Sequence, residues 1–334
     1  KSGTGSGRVT SNPYGIDCGT DCNETYNNNT MVVLTAAPAT GSTFAGWTGA
    51  CTNTSGTCTV TMTQARSVTA RFTAIPPNYA FVTSTTQTGN LGGLSGADAI
   101  GQARANAASL PGHYRAFLST STVDAIDRFG TARGWIRPDG KPFLDKLTDI
   151  TTSRVLYPPR LDETARDIGS VSLYTGTNNL GTLSSFGSCN DWTTAATSSS
   201  ASIGFSDPNS YEVAFGGGSF DCGETLFRML CLGYDNEAVV TAPPVSARRA
   251  FMTDGTWTPG GGLSSADAKC QAEASAAGLA GTYLALLPTS TASAISRFST
   301  GTSSLPWARL DNTLLAPTAA ALASSSTTFF DASP

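Results

Sequence analysis

Between Met31 and Phe72 the chain alternates apolar and polar side chains with a period of two, in Met31-Val32-Val33-Leu34-Thr35-Ala36, Thr57-Cys58-Thr59-Val60-Thr61-Met62 and Ser67-Val68-Thr69-Ala70-Arg71-Phe72. Runs of this kind, rich in Val and Thr and punctuated by Gly, Asn and Pro, predict short half-buried strands. Residues 1–74 therefore read as a small all-β unit with Trp47 in its core. The paired prolines of Ile75-Pro76-Pro77-Asn78 predict an extended, semi-rigid spacer. Beyond it come a strand over Tyr79–Thr83, a Gly-rich loop, an Ala-rich helix with Ser95 as its N-cap, and an alternating strand over Tyr114–Leu118.

The pattern then returns. Ala80-Phe81-Val82-Thr83 and Leu94-Ser95-Gly96-Ala97-Asp98-Ala99 reappear as Ala250-Phe251-Met252-Thr253 and Leu263-Ser264-Ser265-Ala266-Asp267-Ala268. Ser121 to Phe129 is answered by Ser290 to Phe298, and Gly134-Trp135-Ile136-Arg137 by Pro306-Trp307-Ala308-Arg309. This is a tandem unit of about 155 residues, far beyond a solenoid period of roughly 20 to 50. The first copy covers 79–235; the second, 249–334, holds only the front half, with a strand expected over Arg249–Thr253, a helix over Ser264–Ala277 and a strand over Thr282–Leu287. Half a unit rarely buries a core of its own, so it is expected to belong to a longer protein or to be completed by something else. The Ala-, Ser- and Thr-rich last stretch is expected to be loosely ordered or paired outside this chain. Between the copies, residues 236–247 with Pro243-Pro244 form a second linker.

Composition narrows the setting. Charged residues make up 13% of the chain, about half the usual share, and eight cysteines with local spacings read as disulfides of an oxidising compartment. In the first unit the favoured pairs are Cys18 with Cys22 and Cys51 with Cys58, with crossed pairings open. A net charge of −4 argues against nucleic-acid binding, which wants a basic excess. No apolar run is long enough to span a bilayer, and Lys1 does not open a signal peptide, so an exported form would be a processed one. Of the 11 Lys and Arg in 79–235, ten fall between Arg104 and Arg166. They are read as a solvated surface, with Arg104, Arg115, Arg128, Arg133, Arg137 and Lys141 the residues of a binding face if one exists.

Two resemblances add to this. Gly7-Arg8-Val9-Thr10-Ser11-Asn12-Pro13 with Gly15-Ile16-Asp17-Cys18, then Val33-Leu34-Thr35-Ala36 with Pro38, Phe44-Ala45-Gly46-Trp47 and Val68-Thr69-Ala70-Arg71-Phe72 resemble the divergent internalin-type B-repeat of bacterial surface proteins. That resemblance implies a spacer or presenter. Gln102-Ala103-Arg104-Ala105, Tyr114 to Ser119, Cys189-Asn190-Asp191-Trp192 with Thr193-Thr194-Ala195, Cys222 and Cys231 resemble the endostatin-like domain, which implies a C-type-lectin-like α+β fold. The expected fold class is thus multidomain: a small all-β module, an endostatin-like domain and a partial second copy. The family pairs its first cysteine with its fourth and its second with its third, which implies Cys189–Cys222. The first position is Gly101 in this copy and Cys270 in the next, so Cys231 and Cys270 lack family partners: unpaired thiols, a bond between the two, or a bond to another chain.

Catalytic chemistry finds little support. His113 is the sole histidine and sits at a turn, so neither a Ser or Cys nucleophile with an imidazole base nor a histidine metal centre is expected. Asp207 and Asn209 with Asn190 and Asp191 offer oxygens that calcium takes, but Asp207 follows Cys189 whereas calcium-type lectins place that motif earlier, so no metal site is assigned. The expectation is a non-catalytic, cofactor-free protein, extracellular or at the cell surface, adhering to a glycan or protein partner. The alternative is a structural subunit of an extracellular filament or surface layer, a homo-oligomer included, in which a neighbouring chain completes the C-terminal unit.

Overall fold

The computed structural model describes residues 1–152, 154–206, 213, 218–224, 226–298, 305–318 and 321. The first unit comprises β1 (Gly7–Asn12), β2 (Met31–Pro38), β3 (Ser42–Gly49), β4 (Cys58–Thr61) and β5 (Val68–Ala74). β1, β2 and β4 form one antiparallel sheet in the order β1-β2-β4, and β3 pairs with β5 in a second. The alternation does what period-two patterns do: Val9, Val32, Leu34 and Val60 meet Trp47, Ala70 and Phe72 in a shared core. Phe44 packs edge-on against Trp47 and Phe72, at 5.2 and 5.8 Å between centroids. The Phe-x-Gly-Trp element is explained by a bulge. The β3–β5 register shifts between Phe44 and Gly46, Gly46 has φ of 131°, and a Cβ there would lie 2.8 Å from the Asn53 carbonyl oxygen.

The second unit contains β6 (Asn78–Val82), α1 (Gly93–Ala107), β7 (Tyr114–Ala116), β8 (Trp135–Ile136), β9 (Pro142–Leu144), α2 (Thr148–Thr151), β10 (Ser172–Tyr174), a turn α3 (Cys189–Trp192), β11 (Ser200–Ala201), β12 (Ile203–Phe205), β13 (Phe220–Asp221) and β14 (Arg228–Gly233). A seven-stranded mixed sheet runs β12-β10-β14-β6-β8-β9, with β7 also on β14. β14 is its spine. Leu230, Cys231 and Leu232 pair with Val82, Phe81 and Ala80 of β6, while Cys231, Leu232 and Gly233 pair with Ala116, Arg115 and Tyr114 of β7. Leu230 and Leu232 face one core with Trp135, Phe117 and Phe143. Met229 and Cys231 face the other, with Phe81, Tyr114, Trp192 and the Ala97 and Ala105 stripe of α1. Burial on both faces accounts for the near-continuous apolar run of this strand.

The third unit has β15 (Arg248–Arg249), α4 (Gly262–Ala276), β16 (Trp307–Ala308) and β17 (Leu314–Ala316). β15 lies parallel to β16, and β16 antiparallel to β17, repeating the β6-β8-β9 arrangement.

Three expectations change. α1 opens at Gly93 with Gly92 as N-cap, two residues before Ser95, and α4 opens at Gly262. The strand expected over Arg249–Thr253 shortens to Arg248–Arg249, and Thr282–Leu287 forms no strand. Both segments match strands that pair with β14 in the first copy, and a strand without a ladder partner has nowhere to direct its backbone groups. The second linker is not a free spacer: Ala238, Val240 and Ala242 are buried, and the Val240 N–H donates to Asp145 Oδ1 at 2.9 Å. Asn78, at the end of the first linker, donates through its side-chain amide to the carbonyls of Arg133 and Asn236. The last stretch, from 319 onward save 321, lies outside the described residues.

Candidate functional site

The basic residues singled out from the sequence are engaged internally. Arg128 is buried and donates to Asp98 Oδ2 at 2.7 Å and to the Ala116 carbonyl. Arg115 donates to the Arg128 carbonyl and lies over the Tyr234 ring, 4.2 Å from its centroid. Arg133 pairs with Asp145, and Arg137 pairs with Asp139 at 2.6 Å while donating to the Pro158 carbonyl. Lys141 sits over the Tyr157 ring and Arg104 is 3.9 Å from Glu163. Carboxylates thus lie beside four of these cations, Arg104, Arg128, Arg133 and Arg137. His113 is exposed and shares the Asp235 carboxylate, 3.0 Å from Nδ1.

Asn190 and Asp191 also do structural work. Asp191 accepts the Ser121 N–H at 2.7 Å, the Ser121 hydroxyl at 2.6 Å and the Ser188 hydroxyl at 3.1 Å. The Ser121 hydroxyl first, then its backbone N–H, hold this carboxyl below its ordinary range. Asn190 donates to Thr193 Oγ1. Asp207 and Asn209 lie outside the described residues, and no group of three or more metal-ligating side chains occurs among the described residues.

The backbone beneath Asp191 is unusual. Cys189, Asn190, Asp191 and Trp192 have φ of 51, 51, 54 and 65°, a complete left-handed turn. Nothing in the pattern of side chains announced it. The turn clamps a neighbouring loop: Trp192 Nε1 donates to the Ser119 carbonyl at 2.8 Å, Asp191 holds Ser121, and Ser119 Oγ accepts the Ala125 N–H. That loop is tied in turn to residues 178–183, through the Leu183 N–H to Asp124 Oδ1 at 2.7 Å and the Ile126 N–H to the Gly181 carbonyl at 3.2 Å. Val123 and Leu180, on these fastened loops, are exposed. Exposed apolar side chains on loops held by hydrogen bonds offer a partner a contact surface, and their signal in the sequence is only that loop positions are apolar.

A second feature lies in the third unit. Phe251 and Tyr283 keep their rings 5.5 Å apart at 56°, against 5.3 Å and 61° for Phe81 and Tyr114. Tyr283 N–H donates to Gln271 and Ala285 N–H to Asp267, both at 2.9 Å, matching Tyr114 to Gln102 and Ala116 to Asp98. The two flanks of the slot that β14 fills in the first copy are thus set in place, yet among the described residues no strand lies between them. The consequence is exposure: Met252 is 75% exposed where Val82 is fully buried, and Leu286 is 51% exposed where Phe117 is buried. Trp135 Nε1 donates to the Gly233 carbonyl of β14 at 2.7 Å. Its counterpart Trp307 is 7% exposed, and its Nε1 has no hydrogen-bond partner among the described residues.

The cysteines divide accordingly. Cys18–Cys22, Cys51–Cys58 and Cys189–Cys222 are disulfides, with Cα separations of 4.3, 6.0 and 5.7 Å. Cys231 and Cys270 are free, and they are not bonded to each other. Burial pushes both thiols upward from their ordinary value.

Residues 2–76 match the family model of the divergent InlB B-repeat domain. No curated protein matches the chain.

Proposed function

We propose that this is a non-catalytic bacterial protein of the cell surface or extracellular space, in which the B-repeat unit holds out an endostatin-like unit that binds a glycan or protein partner. The B-repeat match and three disulfides support the location, and no described helix is long and apolar enough to cross a membrane. The observation that carries the binding role is the fastened loop pair with exposed Val123 and Leu180. Rigid loops lose little freedom on binding, and their apolar side chains gain by leaving water.

The test is binding of the purified chain to glycan and matrix-protein arrays, followed by titration of each hit. Val123→Asp with Leu180→Asp is expected to weaken the chosen partner by about a hundredfold, given roughly 1.5 kcal/mol for each buried aliphatic side chain. Unchanged affinity would remove these loops from the contact.

A further inference from the structure

An asparagine followed two residues on by Ser or Thr is the acceptor pattern for an N-linked glycan. It occurs at Asn23, Asn28 and Asn53, all exposed and all in the first unit, whereas none of the nine asparagines from Asn78 onward carries it. The strand registers set Asn23 and Asn28 at one end of that unit. The segment joining β1 to β2 leaves at Asn12, opposite Val33, while Pro38, Ser42 and Ala74 stand at the other end, where the chain leads out to the second unit. The eight residues of β2 separate the two ends by roughly 25 Å. A large group on this segment therefore stands clear of the junction with the second unit.

The three positions differ in how firmly they are held. Asn53 Nδ2 donates to the Thr57 carbonyl at 3.0 Å, and the Asn53 carbonyl accepts the Trp47 N–H at 2.7 Å. Asn28 lies in a turn closed by the Thr30 N–H on the Asn27 carbonyl at 3.1 Å. That turn is pinned beside β4, with the Asn29 N–H on the Met62 carbonyl at 3.0 Å and the Met62 N–H on the Thr30 carbonyl at 2.9 Å. Asn23 is free of such ties. Its side-chain amide has no hydrogen-bond partner among the described residues, and the N–H groups of Asn23 and Thr25 reach only the side chains of Asp21 and Glu24, at 3.3 and 2.6 Å. Asp21 adds a charge two residues before the acceptor. Arg8 pairs with Asp17, so the exposed Asp21 has no cation partner among the described residues. Asp21-Cys22-Asn23-Glu24-Thr25 is thus an acceptor asparagine preceded by an open carboxylate, the extended pattern that bacterial oligosaccharyltransferases take.

Resting on the bacterial, exported location proposed above, we infer that Asn23 is the acceptor for an oligosaccharide carried on a polyprenyl pyrophosphate, with Thr25 and Asp21 as its recognition residues. Asn23 Nδ2 attacks the anomeric carbon of the first sugar, and the C–N bond forms as the C–O bond to pyrophosphate breaks. The polyprenyl pyrophosphate leaves with that electron pair, and the proton lost from Nδ2 passes to solvent. No oxidation or reduction occurs. An amide already donating to a carbonyl, as at Asn53, must first give up that bond, and a fastened turn, as at Asn28, must first open, so transfer to the folded chain selects Asn23.

The whole chain is purified from the cells that make it, and the peptides holding Asn23, Asn28 and Asn53 are mapped by mass. The expected result is a glycan at Asn23 with Asn53 bare, lost in Thr25→Ala and kept in Thr25→Ser. The Thr25 side chain has no hydrogen-bond partner among the described residues, and an unchanged urea midpoint checks that these variants fold. With a purified bacterial oligosaccharyltransferase and its lipid-linked donor, Asp21→Ala should slow transfer to the whole chain at least about tenfold, the cost of one charge-assisted hydrogen bond. Equal rates would overturn the role of Asp21, and a sugar on Asn23 that survives Thr25→Ala would overturn enzymatic transfer. A secreted, disulfide-bonded chain that is bare at Asn23 would overturn the acceptor and leave the location standing. A chain found only in the cytosol with its cysteines reduced would overturn the location and the acceptor together.

Discussion

Asp98 satisfies two groups at once, accepting the Ala116 N–H at 2.9 Å through one oxygen and Arg128 at 2.7 Å through the other. The Arg128 side chain is only 6% exposed, and burial lowers its pKa against the opposing pull of Asp98. Removing the carboxylate leaves a buried guanidinium without a counter-charge and strands a backbone donor, so Asp98→Ala should cost about 3–5 kcal/mol. In the second copy Asp267 makes the same bonds to Ala285 and Arg297, but Arg297 is 15% exposed beside the open slot. Arg297 is closer to solvent than Arg128, so Asp267→Ala should cost less than Asp98→Ala. Urea unfolding of the two variants checks the difference, and equal midpoints would mean that the second copy is as well packed as the first.

At the scale of elements, the left-handed turn Cys189–Trp192 needs outside support, since each such residue costs about 1–2 kcal/mol. Its supports are the Asp191 bonds to Ser121 and Ser188, the Trp192 bond to Ser119 and the Cys189–Cys222 bridge. With its folded pKa depressed, Asp191 contributes stability that is fully present above its unfolded value of about 4 and is lost as pH falls through the folded value. Between about pH 6 and pH 3 the wild-type denaturation midpoint should fall more steeply than that of Asp191→Asn; parallel curves would sink the assignment. This turn was illegible beforehand, because Cys-Asn-Asp-Trp has no period and its conformation is imposed from a distance. The strands of the first unit were legible, because alternation over Met31–Ala36 and Val68–Phe72 states both the element and its buried face. The same alternation misled at Thr282–Leu287, since a strand is a property of a pair. The roles of Arg115, Arg128 and Arg133 were hidden for a related reason: their partners lie 12 to 30 residues away or across the sheet.

For the whole molecule, the duplicated unit works as an internal control on what one central strand contributes. In the first copy the Phe117 N–H donates to the Leu230 carbonyl of β14 at 2.8 Å, beneath two cores. Its exchange with solvent therefore requires the sheet to open, at a cost approaching the stability of the unit. The matching Leu286 is half exposed and has no strand beside it among the described residues. Hydrogen exchange should then separate two nearly identical segments: Leu286 within about tenfold of the unstructured rate, Phe117 slower by at least about a thousandfold. Equal protection of the two amides would show that Leu286 has a backbone partner and that the central strand is not what separates the two copies.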